Sequence, residues 1–145
     1  MYCDLDDLKG VMSEKQLIQL TDDAVPPAAI NQATVALAIA GAGELIDGYL
    51  RGRYALPLDP VPGLVKDLAV DITVYRLLKR RAQNKMPENI SEDYKNTLKI
   101  LGEIQKGAIT IGATEKAAPP GAVSVGGAAV TSADRKFTRD KMKGL

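Results

Sequence analysis

The 145-residue chain has no histidine and no tryptophan, and it has one cysteine and one phenylalanine. Without an imidazole, Ser-His and Cys-His nucleophiles and every histidine-containing zinc site are excluded, which removes most hydrolase chemistry. The lone Cys3 permits neither an intrachain disulfide nor a Cys-x-x-Cys site and suits a reducing compartment. It reads as a small side chain near the N-terminus. An excess of charge of one sign is also missing: 19 basic residues face 18 acidic ones for a formal net charge of +1, so no global field recommends a polyanion as partner. The most apolar stretch, Ala33 to Gly43, covers 11 residues, short of the roughly 20 that a spanning helix needs. The opening MYCDLDDLKG is acidic, where a secretory leader would be basic. These features predict a soluble cytoplasmic product without a membrane partner.

Hydrophobic residues make up 46% of the chain and charged residues 26%, enough for one compact domain. The pattern predicts a mainly α fold: a small domain over residues 1–107 with two long helices and shorter ones, then a short β-hairpin or extended arm over residues 108–145. Asp4 is placed to cap a short first helix, and Ser13 with Gln16 has capping-box spacing for a second. Pro26 and Pro27 suit the start of a long helix that runs without internal proline to Tyr54. Gly41 and Gly43 inside it predict a kink or a close helix contact. Three prolines within Arg53 to Gly63 (RYALPLDPVPG) make a rigid connector. Pro62 opens the next helix, in which Leu64, Leu68, Asp71, Tyr75 and Leu78 share one face. Asn89 and Glu92 open the last helix, with the stripe Ile90, Tyr94, Leu98, Leu101 and Ile104, ending near Gly107.

Few residues suggest chemistry. The glycines at 41 and 43 sit in a helical pattern rather than after a strand, so they do not form a dinucleotide loop. The adjacent carboxylates Asp6/Asp7 and Asp22/Asp23 read as caps or solvated surface rather than a metal site. The basic run Arg76 to Lys85 has no aromatic residue interleaved for base stacking and reads as a solvated helix end or a protein interface. Asp71 on an apolar face needs a partner, since a carboxylate buried alone costs several kcal/mol. Arg53 follows Ile46, Tyr49 and Leu50 at helical spacing, and an Arg53–Asp71 structural ion pair is the expected solution. Charge is distributed unevenly: residues 1–23 carry two basic and six acidic side chains, whereas residues 132–145 carry five basic and two acidic.

The run Ile46 to Leu58 (IDGYLRGRYALPL), with Pro62-Gly63-Leu64 and Ala69-Val70-Asp71-Ile72, resembles the Mu-like prophage gene product 36 family. Tyr2, Asp7-Leu8, Phe137-Thr138-Arg139-Asp140 and Lys143-Gly144-Leu145 extend the likeness, with Met142 where a leucine is expected. The resemblance implies a head-completion adaptor at the virion neck, made in the host cytoplasm, with no catalytic activity, cofactor or metal. In that role the chain forms a ring with neighbouring copies, twelve-fold by the resemblance, beneath the portal protein. It joins the head to tail-side neck proteins while genome DNA passes through without specific binding. The basic end then reads as a docking arm for the portal or a neighbouring subunit, with Phe137, Met142 and Leu145 as apolar anchors and Arg135, Lys136, Arg139 and Lys141 meeting acidic groups. A neck stopper or tail-completion protein is an alternative reading, and a small nucleic-acid-binding regulator is another.

Overall fold

Capping residues set the first two helices. In the computed structural model, which describes residues 1–81 and 86–117, Asp4 accepts the backbone N–H of Asp7 while the Asp7 carboxylate accepts that of Asp4, and this pair opens α1 (Leu5–Val11). Ser13 and Gln16 form the same reciprocal cap on α2 (Glu14–Thr21). Both boxes satisfy backbone donors that a helix start leaves unpaired; the spacing predicted the second box, and at α1 only the Asp4 cap.

The first long helix, α3, is shorter than expected: it spans Gln32–Leu50, capped by Asn31, instead of Pro26 to Tyr54. Asp22 and Thr21 explain the late start. The Asp22 carboxylate accepts the backbone N–H groups of Ala24, Ala28 and Ala29, and the Thr21 hydroxyl accepts that of Asn31. Those bonds hold 22–31 as a loop by giving its donors partners outside any helix. At 19 residues and mean hydropathy 1.3, α3 is long and apolar enough to cross a membrane by length and composition, although its longest unbroken apolar run is short. Val35, Ile39, Ala42, Ile46 and Leu50 are buried, and the helix packs against α2, α4 and α5.

α4 (Gly63–Arg80) is the hub of the fold, touching all four other helices. α5 (Glu88–Lys106) closes the bundle, starting after Pro87 rather than at Asn89. Leu8, Leu17, Ile46, Leu50, Tyr54, Ile72, Leu77, Leu101 and Ile104 are fully buried where the five helices and the α3–α4 connector meet. The predicted face of α4 needs correction. Leu68 is buried, but Leu64 is 38% exposed and Asp71 is exposed, while Val65, Ala69, Ile72, Thr73 and Leu77 face the core. A helix covered on several sides buries more than one stripe, so the line through residues 64, 71 and 78 lies at its edge.

The expected close contact at Gly41 is present. A Cβ there would overlap the Arg76 guanidinium, so the glycine lets this α4 side chain lie against the α3 backbone. Cys3 is buried, with its sulfur 3.7 Å from the Thr73 hydroxyl. Tyr2 is buried too and donates to Asp47. Its burial, and then the Asp47 carboxylate, push the phenol above its ordinary value of 10.0. The unfolded chain therefore ionises Tyr2 first as pH rises. The stability that depends on this group is complete below about pH 10 and is lost above it. Melting temperature should fall as pH climbs past 10, and Tyr2→Phe should flatten that limb. An unchanged limb in the variant would mean that Tyr2 plays no part.

Candidate functional site

The block Ile46 to Leu58 ends α3 and enters the connector, where Arg53 acts as a clasp. Its guanidinium donates to the Ile104 carbonyl at 3.1 Å and pairs with Glu115 at 2.7 Å, and it lies 5.3 Å from the centre of the Tyr54 ring. The Ile104 carbonyl also accepts the Gly107 backbone N–H at 3.1 Å, and as one of the last carbonyls of α5 it sits at the negative end of the helix dipole, where a cation is favourable. α5 stops at Gly107, as expected, with φ of 87°. A Cβ at that position would come within 2.8 Å of an Arg53 nitrogen. Glycine thus serves both the left-handed turn and the approach of Arg53.

The segment after Gly107 is stitched to this clasp. Tyr54 and Glu115 form an isolated antiparallel bridge, Ala55 N–H donates to the Thr114 carbonyl, and Lys116 N–H donates to the Arg53 carbonyl. Ile111 is buried, and its N–H points at the Tyr54 hydroxyl at 3.4 Å. Residues 108–117 therefore pack on the helical body beyond the expected boundary at 107, and no strand occurs among the described residues.

The expected Arg53–Asp71 pair is not formed. Arg53 turns to Ile104 and Glu115, while the Asp71 carboxylate accepts the Thr97 hydroxyl at 3.2 Å on the outer edge of α4 and α5. Its pKa is raised by burial of the carboxyl and, more weakly, by nearby Asp93 and Asp67. Asp71 and Asp93 border a cleft of about 420 Å³ with an apolar floor that includes Val11, Val74 and Ile90.

The acidic pairs near the N-terminus have structural partners. Asp7 meets Lys66 at 2.7 Å. Asp23 pairs with Arg80 and with Arg81, the latter at 3.1 Å, while Arg80 also donates to the Leu20 carbonyl and Arg81 to that of Asp22. The basic end of α4 thereby fastens the loop after α2. The expectation that no aromatic residue accompanies this basic run holds for the sequence but not in space. Tyr75 stacks on Tyr94 of α5 with ring centres 3.8 Å apart, and Lys79 lies 5.9 Å from the Tyr75 ring centre. Helical spacing within α4 alone gives no sign of Tyr94. The proposed docking residues Arg135, Lys136, Phe137, Arg139, Lys141, Met142 and Leu145 lie outside the described residues.

The family model described as "Bacteriophage Mu, Gp36" matches residues 2–128, a span that takes in the five helices of the described residues and the clasp. The chain belongs to the phage Mu Gp36 family. Similar proteins include the "Mu-like prophage FluMu protein gp36" of Haemophilus influenzae, 33% identical over 116 residues that make up 80% of this chain and 78% of that protein. "Gene product J" of Escherichia phage Mu is 27% identical over 117 residues, 81% of this chain and 80% of its own. The Gp36 family match covers the Arg53 clasp, Gly107 and Glu115 together, so the contact that joins α3, α5 and the following segment lies within the shared region.

Proposed function

We propose that this Gp36-family protein is a structural component of the phage particle, a head–tail connector that forms a ring beneath the portal and links the head to the tail-side neck proteins. The observation that carries this reading is the family match across the whole helical body, read together with the head-completion role that the sequence resemblance implies. The geometry is in keeping with it. The polar groups around the clasp and at the end of α4 are engaged in holding segments together, which suits a part that bears load between neighbours. No reaction and no cofactor enter this role.

A neck reconstruction from particles carrying a tagged copy tests the proposal. Density for the tag is expected as a ring between the portal and the tail-side proteins. Its absence from particles, or its appearance at the tail tip, would overturn the connector role. A position below that ring would favour a stopper or tail-completion protein.

The stacked Tyr75–Tyr94 pair beside Lys79 is the feature that most favours a nucleic-acid-binding role. Each ring covers one face of the other, and Arg80 and Arg81 are already paired with Asp23, leaving Arg76 and Lys79 as the cations beside the pair, a small footprint for bases and phosphates. Duplex DNA at physiological ionic strength is therefore expected to cause no mobility shift at micromolar protein. A specific, salt-sensitive complex would restore the regulator reading.

A further inference from the structure

The cleft between the end of α1, the outer edge of α4 and the first turns of α5 serves none of the packing described above. Its lining is mostly apolar: Val11, Met12, Val74, Leu78 and Ile90 border it with Gln16 and Asn89, and Val11 is 63% exposed. Its rim is acidic. Asp71 and Asp93 stand at the opening, and Asp67 lies beside Asp71 in the adjoining hollow. Among the described residues no cation pairs with any of the three, and the nearby Lys66 is engaged by Asp7. An apolar lining bordered by carboxylates that have no ion-pair partner among the described residues is complementary to a peptide that combines an aromatic anchor with basic neighbours.

We propose that this cleft is the seat of the chain's own basic segment, Ser132–Leu145, with the Phe137 ring on the apolar floor and Arg135, Lys136, Arg139 and Lys141 around the acidic rim. The segment carries five basic residues against Asp134 and Asp140 and holds the chain's one phenylalanine. Its charge is opposite to that of the rim. A cleft of about 420 Å³ is in the size range of sites that enclose a small organic group, large enough for an aromatic side chain and part of a neighbour.

Chain length favours the same molecule over a second copy. Glu115 is fixed beside Arg53 and Ile104 at the C-terminal end of α5, whereas the cleft borders Ile90 near its N-terminal end. The separation from Ile90 to Ile104 along the helix is roughly 21 Å at 1.5 Å per residue. Residues 118–131 form an uncharged connection of 14 positions, and a coil of that length spans roughly 20 Å. A tether whose dimension matches the gap gives the highest effective concentration, of millimolar order. This seat goes beyond the connector role and does not depend on it.

The single phenylalanine makes the test direct. Full-length protein is produced with 4-fluorophenylalanine, so that one fluorine resonance reports on Phe137. In dilute solution it should be displaced from the position it takes in a synthetic 132–145 peptide. The displacement should be the same after a tenfold dilution. The Asp71→Lys, Asp93→Lys double variant should return the resonance to the peptide position, with the docked fraction falling by at least about tenfold. Asp71→Asn, which keeps the size of the side chain, should have a smaller effect of the same sign, and circular dichroism would check that both variants fold. A resonance at the peptide position in the unaltered protein would overturn the proposal, as would a displaced resonance that ignores the rim substitutions. Displacement that disappears on dilution would assign the cleft to the segment of a second copy and overturn the intramolecular seat.

Discussion

Replacing Arg53 by alanine is expected to lower stability by about 2–3 kcal/mol, because one side chain ties together the end of α5, the segment after it and a face of Tyr54. The ion pair with Glu115 is the smaller part. Glu115 is 49% exposed, and pairs open to solvent typically contribute under about 1 kcal/mol. The larger part is the bond to the Ile104 carbonyl from an arginine only 21% exposed, since a charged hydrogen bond contributes about 1.5–3 kcal/mol. For a chain of this length the melting temperature should drop by roughly 6–12 °C. The Lys116 and Ala55 amides, which bind across the clasp, should exchange with solvent faster. Arg53→Lys should recover little, because an ammonium cannot reach both partners with a planar fork. Gly107→Ala attacks the same joint from the other side. It places a side chain at positive φ and pushes on Arg53, and should cost at least about 1 kcal/mol. Asp71→Asn is the contrast: an exposed residue whose partly buried carboxylate stands near two like charges and accepts one hydroxyl should change stability by no more than about 0.5 kcal/mol. Equal losses for Arg53→Ala and Asp71→Asn would mean that the clasp is not the joint described.

The fate of Arg53 and Asp71 illustrates what a sequence of this kind discloses. Local signals were legible: the Asp4 cap, the Ser13–Gln16 capping box, the proline connector, the stop at Gly107 and the tight contact at Gly41 each depend on residues within a turn or two, or on the lack of a side chain. That Arg53 would need a partner was also legible. Its identity was not, because Glu115 lies 62 positions away in a segment expected to form a separate hairpin or arm. Asp71 was misread for a different reason. Periodicity finds a face, but it does not say how many neighbours a helix has, and α4 touches four. Once several of its faces are covered, an edge position can keep apolar spacing and still reach solvent. The late start of α3 was hidden in the same way, since the three backbone bonds accepted by Asp22 reach across seven residues. Sequence reading succeeded where chemistry was local and failed where one polar side chain chose between distant partners.

Truncation after Ala133 is expected to separate folding from assembly completely. The described body closes its own core without residues 134–145: its fully buried side chains all lie between Leu8 and Ile104. Helix content should therefore be unchanged, and melting should shift by no more than about 1 kcal/mol, since a single short segment that orders on contact retains little net binding energy. Incorporation into heads, in contrast, should be lost. In the proposed ring each copy's basic segment exchanges its intramolecular seat for a contact with the portal or a neighbouring copy, and weak contacts that act together across many copies gain avidity that none has alone. Removing every arm removes the gain at once. Phe137→Ala should do much of the same damage, because an aromatic anchor carries a large share of such a contact and the basic residues mainly steer and orient it. The measurement is complementation: particles made with the truncated protein are counted for joined heads and tails. Normal joining would remove the arm from the mechanism, and unfolding of the truncated protein would show that residues 134–145 belong to the core.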